Sequence, residues 1–197
     1  MKIHILFGMI GFILLSGCNR AAEKNPRFYD ADVSRELAGH RKAQIKNLKY
    51  ELSFNIPRQK EAAIEGDITL RFDLASRQEV LIDFREEREK IKEVIANGVP
   101  VDKVRFENEH IILPASSTVE GANGIRIRFT AGNQSLNRND EYLYTLLVPD
   151  RARTVFPCFE QPNLKAEFTL QLELPADWKA VSNTYIRSET VTDDRKT

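Results

Sequence analysis

Two stretches of this chain alternate apolar and polar residues with a period of two. In the first, Leu48, Tyr50, Leu52, Phe54 and Ile56 alternate with Lys49, Glu51, Ser53 and Asn55, and Pro57 ends the run. In the second, Ile64, Gly66, Ile68, Leu70, Phe72 and Leu74 repeat at the same interval. On a helix these apolar residues would scatter around the axis. On a strand they share one face, so the pattern predicts two half-buried strands. The charged segment between them predicts a hairpin.

Other segments extend the β reading. Residues 80–84, 110–113, 125–129, 142–148, 166–174, 178–182 and 185–191 read as strands, with residues 114–124 as a loop. Residues 85–92 are ambiguous, because Glu86 and Lys90 are spaced as on a helix. Asn97-Gly98 lies between Val94-Ile95 and Val99–Val101, and Asn-Gly is a strong hairpin signal, so strand–turn–strand is expected there. Residues 33–45 hold Leu37, Ala38, Arg41 and Gln44, with Ser34 placed to cap them, which predicts one short helix weakened by Gly39. The Asp pair at 193–194 reads as a turn leading to a return strand beyond Thr197. The expected fold is mainly β: an antiparallel, saddle-like β-sandwich with one short N-terminal helix.

The N-terminus stands apart. Lys2, an apolar run over residues 5–15, then Ser16, Gly17 and Cys18 follow the layout of a secretory signal. The run is short for a membrane span, which needs about 20 residues. Leu15-Ser16-Gly17-Cys18 resembles the bacterial lipobox, in which the cysteine thiol is acylated; an uncleaved anchor helix is the alternative. The expected organisation is a signal peptide at 1–17, a lipid-anchored tether at 18–32 and a β domain at 33–197. The expected location is outside the cytoplasm, on a membrane facing the periplasm or the cell surface. With Cys18 acylated, the only other cysteine, Cys158, has no intramolecular partner, and burial is its expected state.

Chemistry is scarce. The chain has 29 Lys plus Arg and 29 Asp plus Glu, which excludes a strongly basic nucleic-acid module. Its three histidines, His4, His40 and His110, include no pair one helical turn apart, as a zinc site of the H-E-x-x-H type requires. His40 and His110 read as ordinary surface or strand residues. Neither a phosphate loop nor a G-x-S-x-G elbow occurs. The mixed-sign stretch at 85–90 reads as solvated surface, and Tyr142 and Tyr144 as core or rim packing on one strand face.

One segment goes further. It contains Tyr142-Leu-Tyr-Thr145, then Ala152-Arg153, Phe156-Pro157-Cys158-Phe159-Glu160-Gln161-Pro162, Lys165-Ala166, Phe168 and Ser182-Asn183. This resembles the N-terminal domain of the aminopeptidase N family, zinc metallopeptidases that remove N-terminal residues from peptides. The family stretch runs "AR-x-x-FPC-F/W-DEP-x-x-KA-x-F", then a strand and "A-x-SN". The resemblance implies a twisted β domain packed against a catalytic peptidase domain in the same chain, and zinc in the full-length protein. It marks Arg153, Pro157, Cys158, Glu160, Pro162, Lys165 and Asn183 as structural motif positions. Pro157 and Pro162 fix a turn, Cys158 and Phe159 fill a small core beneath it, and Lys165 is placed to pair with Glu160. Many members carry a substrate-holding Gln where this chain has Leu146, which forms no hydrogen bond. No substrate-binding residue is therefore expected here.

The family's H-E-x-x-H and G-x-M-E-N elements are missing from residues 18–197, so no catalytic residue, metal ligand or cofactor is expected within this chain. Three readings follow: an inactive N-terminal domain or fragment of an aminopeptidase-type lipoprotein, a stand-alone lipid-anchored binding module, or an independent enzyme. The first is preferred, because fold resemblance alone does not confer catalysis.

Overall fold

The computed structural model describes residues 26–197. The signal segment, Cys18 and the start of the expected tether lie outside the described residues.

The helix forms where expected. It spans Arg35–Gln44 (α1), and the Ser34 hydroxyl accepts the Leu37 N–H at 3.1 Å, satisfying one of the amides that a helix start leaves unpaired. The strands are Ile45–Asn55 (β1), Glu65–Leu74 (β2), Val80–Asp83 (β3), Ile91–Ala96 (β4), Val99–Pro100 (β5), Arg105–Glu107 (β6), His110–Leu113 (β7), Gly121–Thr130 (β8), Leu136–Arg138 (β9), Leu143–Thr145 (β10), Glu167–Pro175 (β11) and Arg195–Lys196 (β12). A seven-stranded sheet has the order β12-β11-β1-β2-β8-β4-β5, β3-β7-β6 form a second sheet, and β9 and β10 pair by themselves.

Layering explains the sequence patterns. On the large sheet, Tyr50, Leu52, Ile68, Leu70, Ile125 and Ile127 are buried against Ile82 and Ile111 of the small sheet. The opposite face of the large sheet is solvated and carries cross-strand ion pairs, Glu51–Arg71, Asp67–Arg126 and Glu93–Arg128. One dry and one wet face produce strict alternation. The small sheet is covered twice, because Leu81 and Ile112 pack under Leu37 of α1, with Phe28, Tyr29 and Val33 beside them. Accordingly β3 and β7 are buried at every position and show no alternation.

Two tight turns control register. Asn97 and Gly98 have φ of 53° and 81°, the pair of positive values that the expected Asn-Gly hairpin needs. The β6–β7 turn is built the same way from Asn108 and Glu109, with φ of 48° and 67°. Without a glycine it gives no sequence signal, and β6 was not expected. Residues 26–29 form a short 3-10 turn that lies against the small sheet. This end of the expected tether is therefore docked on the domain.

Several expectations are corrected. β1 and β11 run parallel, with Tyr50 in register with Phe168 and Leu52 with Leu170, so the large sheet is mixed and not wholly antiparallel. β8 starts at Gly121, inside the expected loop. The strand expected over 142–148 is reduced to β10, and β9 was not anticipated. Residues 178–182 and 185–191 form no extended strand: Val181 and Tyr185 are 95% and 94% exposed, and the only ladder contact is at the end, where Val191 bridges Lys196 of β12 and Thr190 exchanges both backbone hydrogen bonds with Thr197. The Asp193-Asp194 turn is real, but its return strand is β12, which pairs Lys196 with Leu174.

Candidate functional site

The family-like segment starts at a short 3-10 turn, Ala152–Thr154, and runs through a loop onto the edge of β3. The loop is fastened by a two-bond bridge: the Asp83 N–H donates to the Cys158 carbonyl at 2.8 Å, and the Cys158 N–H donates to that of Asp83 at 3.0 Å. Pro157, Cys158 and Phe159 are buried. The Phe159 N–H donates to the Tyr50 hydroxyl at 2.9 Å, and its ring meets Phe72 edge-on at 5.6 Å. The two prolines do bracket a small core of Cys158 and Phe159.

At the centre stands the Asp83 carboxylate, fully buried. Arg41 donates to both of its oxygens at 2.8 and 2.6 Å, the Glu160 N–H at 2.8 Å, and His110 Nδ1 lies 2.8 Å from Oδ1. Burial by itself would push this carboxyl upward; the charge of Arg41 and the bonds from His110 and Arg41 outweigh it and hold Asp83 far below the usual carboxylate range. His110, expected as an ordinary surface or strand residue, is wholly buried beside it.

Arg153 makes a second cluster. Its guanidinium is buried and donates to Glu109 at 2.7 Å, to Asp150 at 2.6 Å and to Asp32. The bond from Arg153 draws Asp32 below its ordinary value. Arg85 also pairs with Glu109, at 3.2 Å, so the residue in the strained left-handed conformation is held by two cations. Glu160 does not pair with Lys165, which is exposed; its carboxylate accepts the Arg153 backbone N–H at 2.8 Å. Burial moves the Glu160 carboxyl up and moves the Cys158 thiol well up, so Cys158 is not a thiolate nucleophile. Gln161, at the family's Glu position, donates to the Ala38 carbonyl at 3.1 Å, tying the loop to α1. Pro162 and Asn183 are exposed.

The structure thus brings Cys158 and Glu160 to Asp83, ties Arg153 to them through its backbone N–H on Glu160 while its guanidinium forms the second cluster, buries Pro157 in the same loop, and leaves Pro162, Lys165 and Asn183 exposed. Sequence reasoning missed Arg41, Asp83 and His110. A lone Asp ending an apolar strand was the available signal, since an ionised carboxylate there requires partners. Among the described residues no group of three or more His, Cys, Asp and Glu could hold a metal ion, and no helix is long and apolar enough to cross a membrane.

Beside this closed cluster lies an open apolar surface. Phe168 and Leu170 of β11 share the core face of the sheet with Tyr50 and Leu52, yet are 54% and 43% exposed. Tyr142, Tyr144, Leu146 and Val148 are exposed too. The tyrosine rings do share one face, 5.8 Å apart, but on the surface and not in the core.

Unequal sheets under one helix, with the loop of Arg153, Cys158 and Glu160 fastened to the edge of β3, define a mainly β domain. The chain belongs to the Peptidase M1 N-terminal domain family, whose model matches residues 46–197. It is 32% identical to aminopeptidase N of Streptomyces lividans over 166 residues, 77% of this chain and 19% of that protein. It is 25% identical to leucine aminopeptidase 2 of Candida glabrata over 156 residues, 70% of this chain and 23% of that one. An M1 zinc metallopeptidase of Deinococcus radiodurans shares the fold with a TM-score of 0.65 at 19% identity, over 78% of this chain and 38% of that one. The chain therefore spans about a fifth of the length of these curated relatives.

Proposed function

We propose that this chain is the non-catalytic N-terminal β domain of a zinc aminopeptidase that removes N-terminal residues from peptides, exported and anchored to a membrane by lipid on Cys18. The observation that carries the reading is the contrast between its two surfaces. The motif cluster is internally matched, with each carboxylate facing a cation or an amide. The apolar shelf of Phe168 and Leu170 continues the core face of the sheet into solvent. Exposed apolar surface beside a sheet core marks a contact surface, and a peptidase domain carrying H-E-x-x-H is the partner that the family relationship supplies. Zinc belongs to that domain. Leu146 offers no hydrogen bond to a substrate amino group, so this domain's share of the work is support.

Co-expression with a catalytic domain of this family tests the reading. The chain alone is expected to bind no stoichiometric zinc and to hydrolyse no aminoacyl substrate, and the two together to form a complex. Leu170→Asp should abolish that complex while leaving the unfolding midpoint of the free domain nearly unchanged. Chelator-sensitive hydrolysis by the chain alone would overturn the proposal. A chain that anchors to membranes but ignores peptidase domains would instead be a lipid-anchored binding module.

A further inference from the structure

We propose that the face made by residues 26–32 and α1 is turned toward a membrane and meets anionic lipid headgroups, with the wet face of the large sheet pointing away from the bilayer.

Residues 26–32 form a strap docked on the domain. Phe28, Tyr29 and Val33 pack against Leu37, Leu81 and Ile112, and the Phe28 ring lies 4.8 Å from that of His40. Tyr29 is held at hydroxyl, ring and carbonyl: the hydroxyl donates to Glu79, Arg105 lies over the ring at 5.8 Å, and the carbonyl accepts from the Asn108 side-chain amide at 2.6 Å. Arg27 pairs with Glu36 at 3.2 Å, the Asp30 carbonyl oxygen lies 2.9 Å from His110 Nε2, and Asp32 pairs with Arg153. These contacts reach α1, the small sheet and the family-like segment, so the connection to Cys18 departs from this face.

The connection is short. Residues 19–25 number seven, so the path from Cys18 to residue 26 spans at most about 29 Å. The strap and α1 cover the outer side of the small sheet, while the wet face lies on the far side of the large sheet. Stacked layers pack about 10 Å apart, which separates these two faces by at least about 20 Å. Turning the domain over would lift the end of the strap by that thickness and draw the connection nearly straight, at the cost of its conformational freedom. With the strap face down, the connection stays slack.

Charge points the same way. The exposed residues of α1 are Arg35, Gly39, Lys42 and Ala43. Arg27 offsets Glu36 and Arg153 offsets Asp32, which leaves Arg35 and Lys42 against Asp30. The wet face is balanced, its carboxylates and guanidiniums paired across strands. An excess of cations beside the end of the strap fits the negative potential of phosphate headgroups, and a balanced face does not.

This orientation rests on the lipid anchor proposed at Cys18. Energy transfer to acceptor-labelled headgroups tests it, with the full-length lipidated protein in vesicles of phosphatidylethanolamine and phosphatidylglycerol. With Cys18 acylated and Cys158 buried, a cysteine introduced at exposed Ala43 of α1 or at exposed Arg126 on the wet face is the thiol that takes the donor. Transfer should be stronger for Ala43→Cys than for Arg126→Cys. The difference should shrink when about 30 Gly/Ser residues, reaching roughly 30 Å, are inserted between residues 25 and 26. It should be lost when Arg35→Gln and Lys42→Gln are added to that insertion. Vesicle-bound protein with equal transfer from both positions, or with stronger transfer from Arg126→Cys, overturns the orientation alone. So does a difference that survives the insertion and the charge changes together. Protein that does not partition with the vesicles overturns the anchor and the orientation at once.

Discussion

Cys158 and Asp83 are joined by both of their backbone hydrogen bonds, at 2.8 and 3.0 Å, although 75 positions separate them in the chain. This bridge delivers the family-like loop to the one buried carboxylate of the small sheet. From there Arg41, His110 and the Glu160 amide all converge on Asp83. The motif serves the fold by completing this cluster.

Breaking the cluster should be severe. Asp83→Asn leaves Arg41 buried without its counter-charge, and loss of one partner of a buried pair costs roughly 3–5 kcal/mol. Urea unfolding should show the midpoint fall accordingly. Lys165→Ala, at an exposed motif position, should change stability by no more than about 0.5 kcal/mol. Equal effects of the two changes would refute the assignment of Asp83 as the keystone.

Acid sensitivity follows from the same residue. Asp83 is held low in the folded state, so its contribution is fully present above the unfolded aspartate value of about 3.9 and is lost progressively as pH falls below it. Asp32 acts in the same direction. Glu160 has the opposite sign: burial raises its carboxyl, and what it contributes at low pH is lost as pH rises through the raised value. Stability should therefore climb from acid toward neutral pH. Unfolding midpoints across that range should climb less for Asp83→Asn, and more steeply for Glu160→Gln, which removes the opposing contribution.

Two glycines should respond in opposite ways to alanine. A Cβ on Gly132 would lie 1.9 Å from the Thr154 carbonyl oxygen and 2.2 Å from Glu86 Oε1. Gly132→Ala must then displace backbone of the family-like segment, and destabilisation of about 1–3 kcal/mol or more is expected. Gly39 meets nothing within 4 Å and lies in α1, where alanine is better by roughly 0.5–1 kcal/mol. Thermal unfolding of both variants should show shifts of opposite sign.

The membrane proposal rests on Cys18. Cys18→Ser should leave the precursor unprocessed or release the protein from membrane fractions, because one acyl chain added at that thiol is the proposed attachment. Processed Cys18→Ser protein that still sediments with membranes would count against lipid at this site.

Much of the fold was readable from single residues in order. The period-two runs at Leu48–Ile56 and Ile64–Leu74 determined β1 and β2 because one face of the large sheet is dry and the other wet. Asn97-Gly98 determined a hairpin, and Ser34 a helix start, since each acts through its immediate neighbours. The family-like residues from Arg153 to Pro162 determined where the closed loop lies. Tertiary structure alone decided the rest. The parallel seating of β11 on β1 depends on a pairing across more than a hundred residues, which no local pattern encodes. β6 was hidden because its turn obtains positive φ from Asn108 and Glu109, with Arg153 and Arg85 holding the glutamate. His110 looked ordinary because its burial and its contacts with Asp83 and the Asp30 carbonyl exist only once the small sheet and residues 26–32 have folded together.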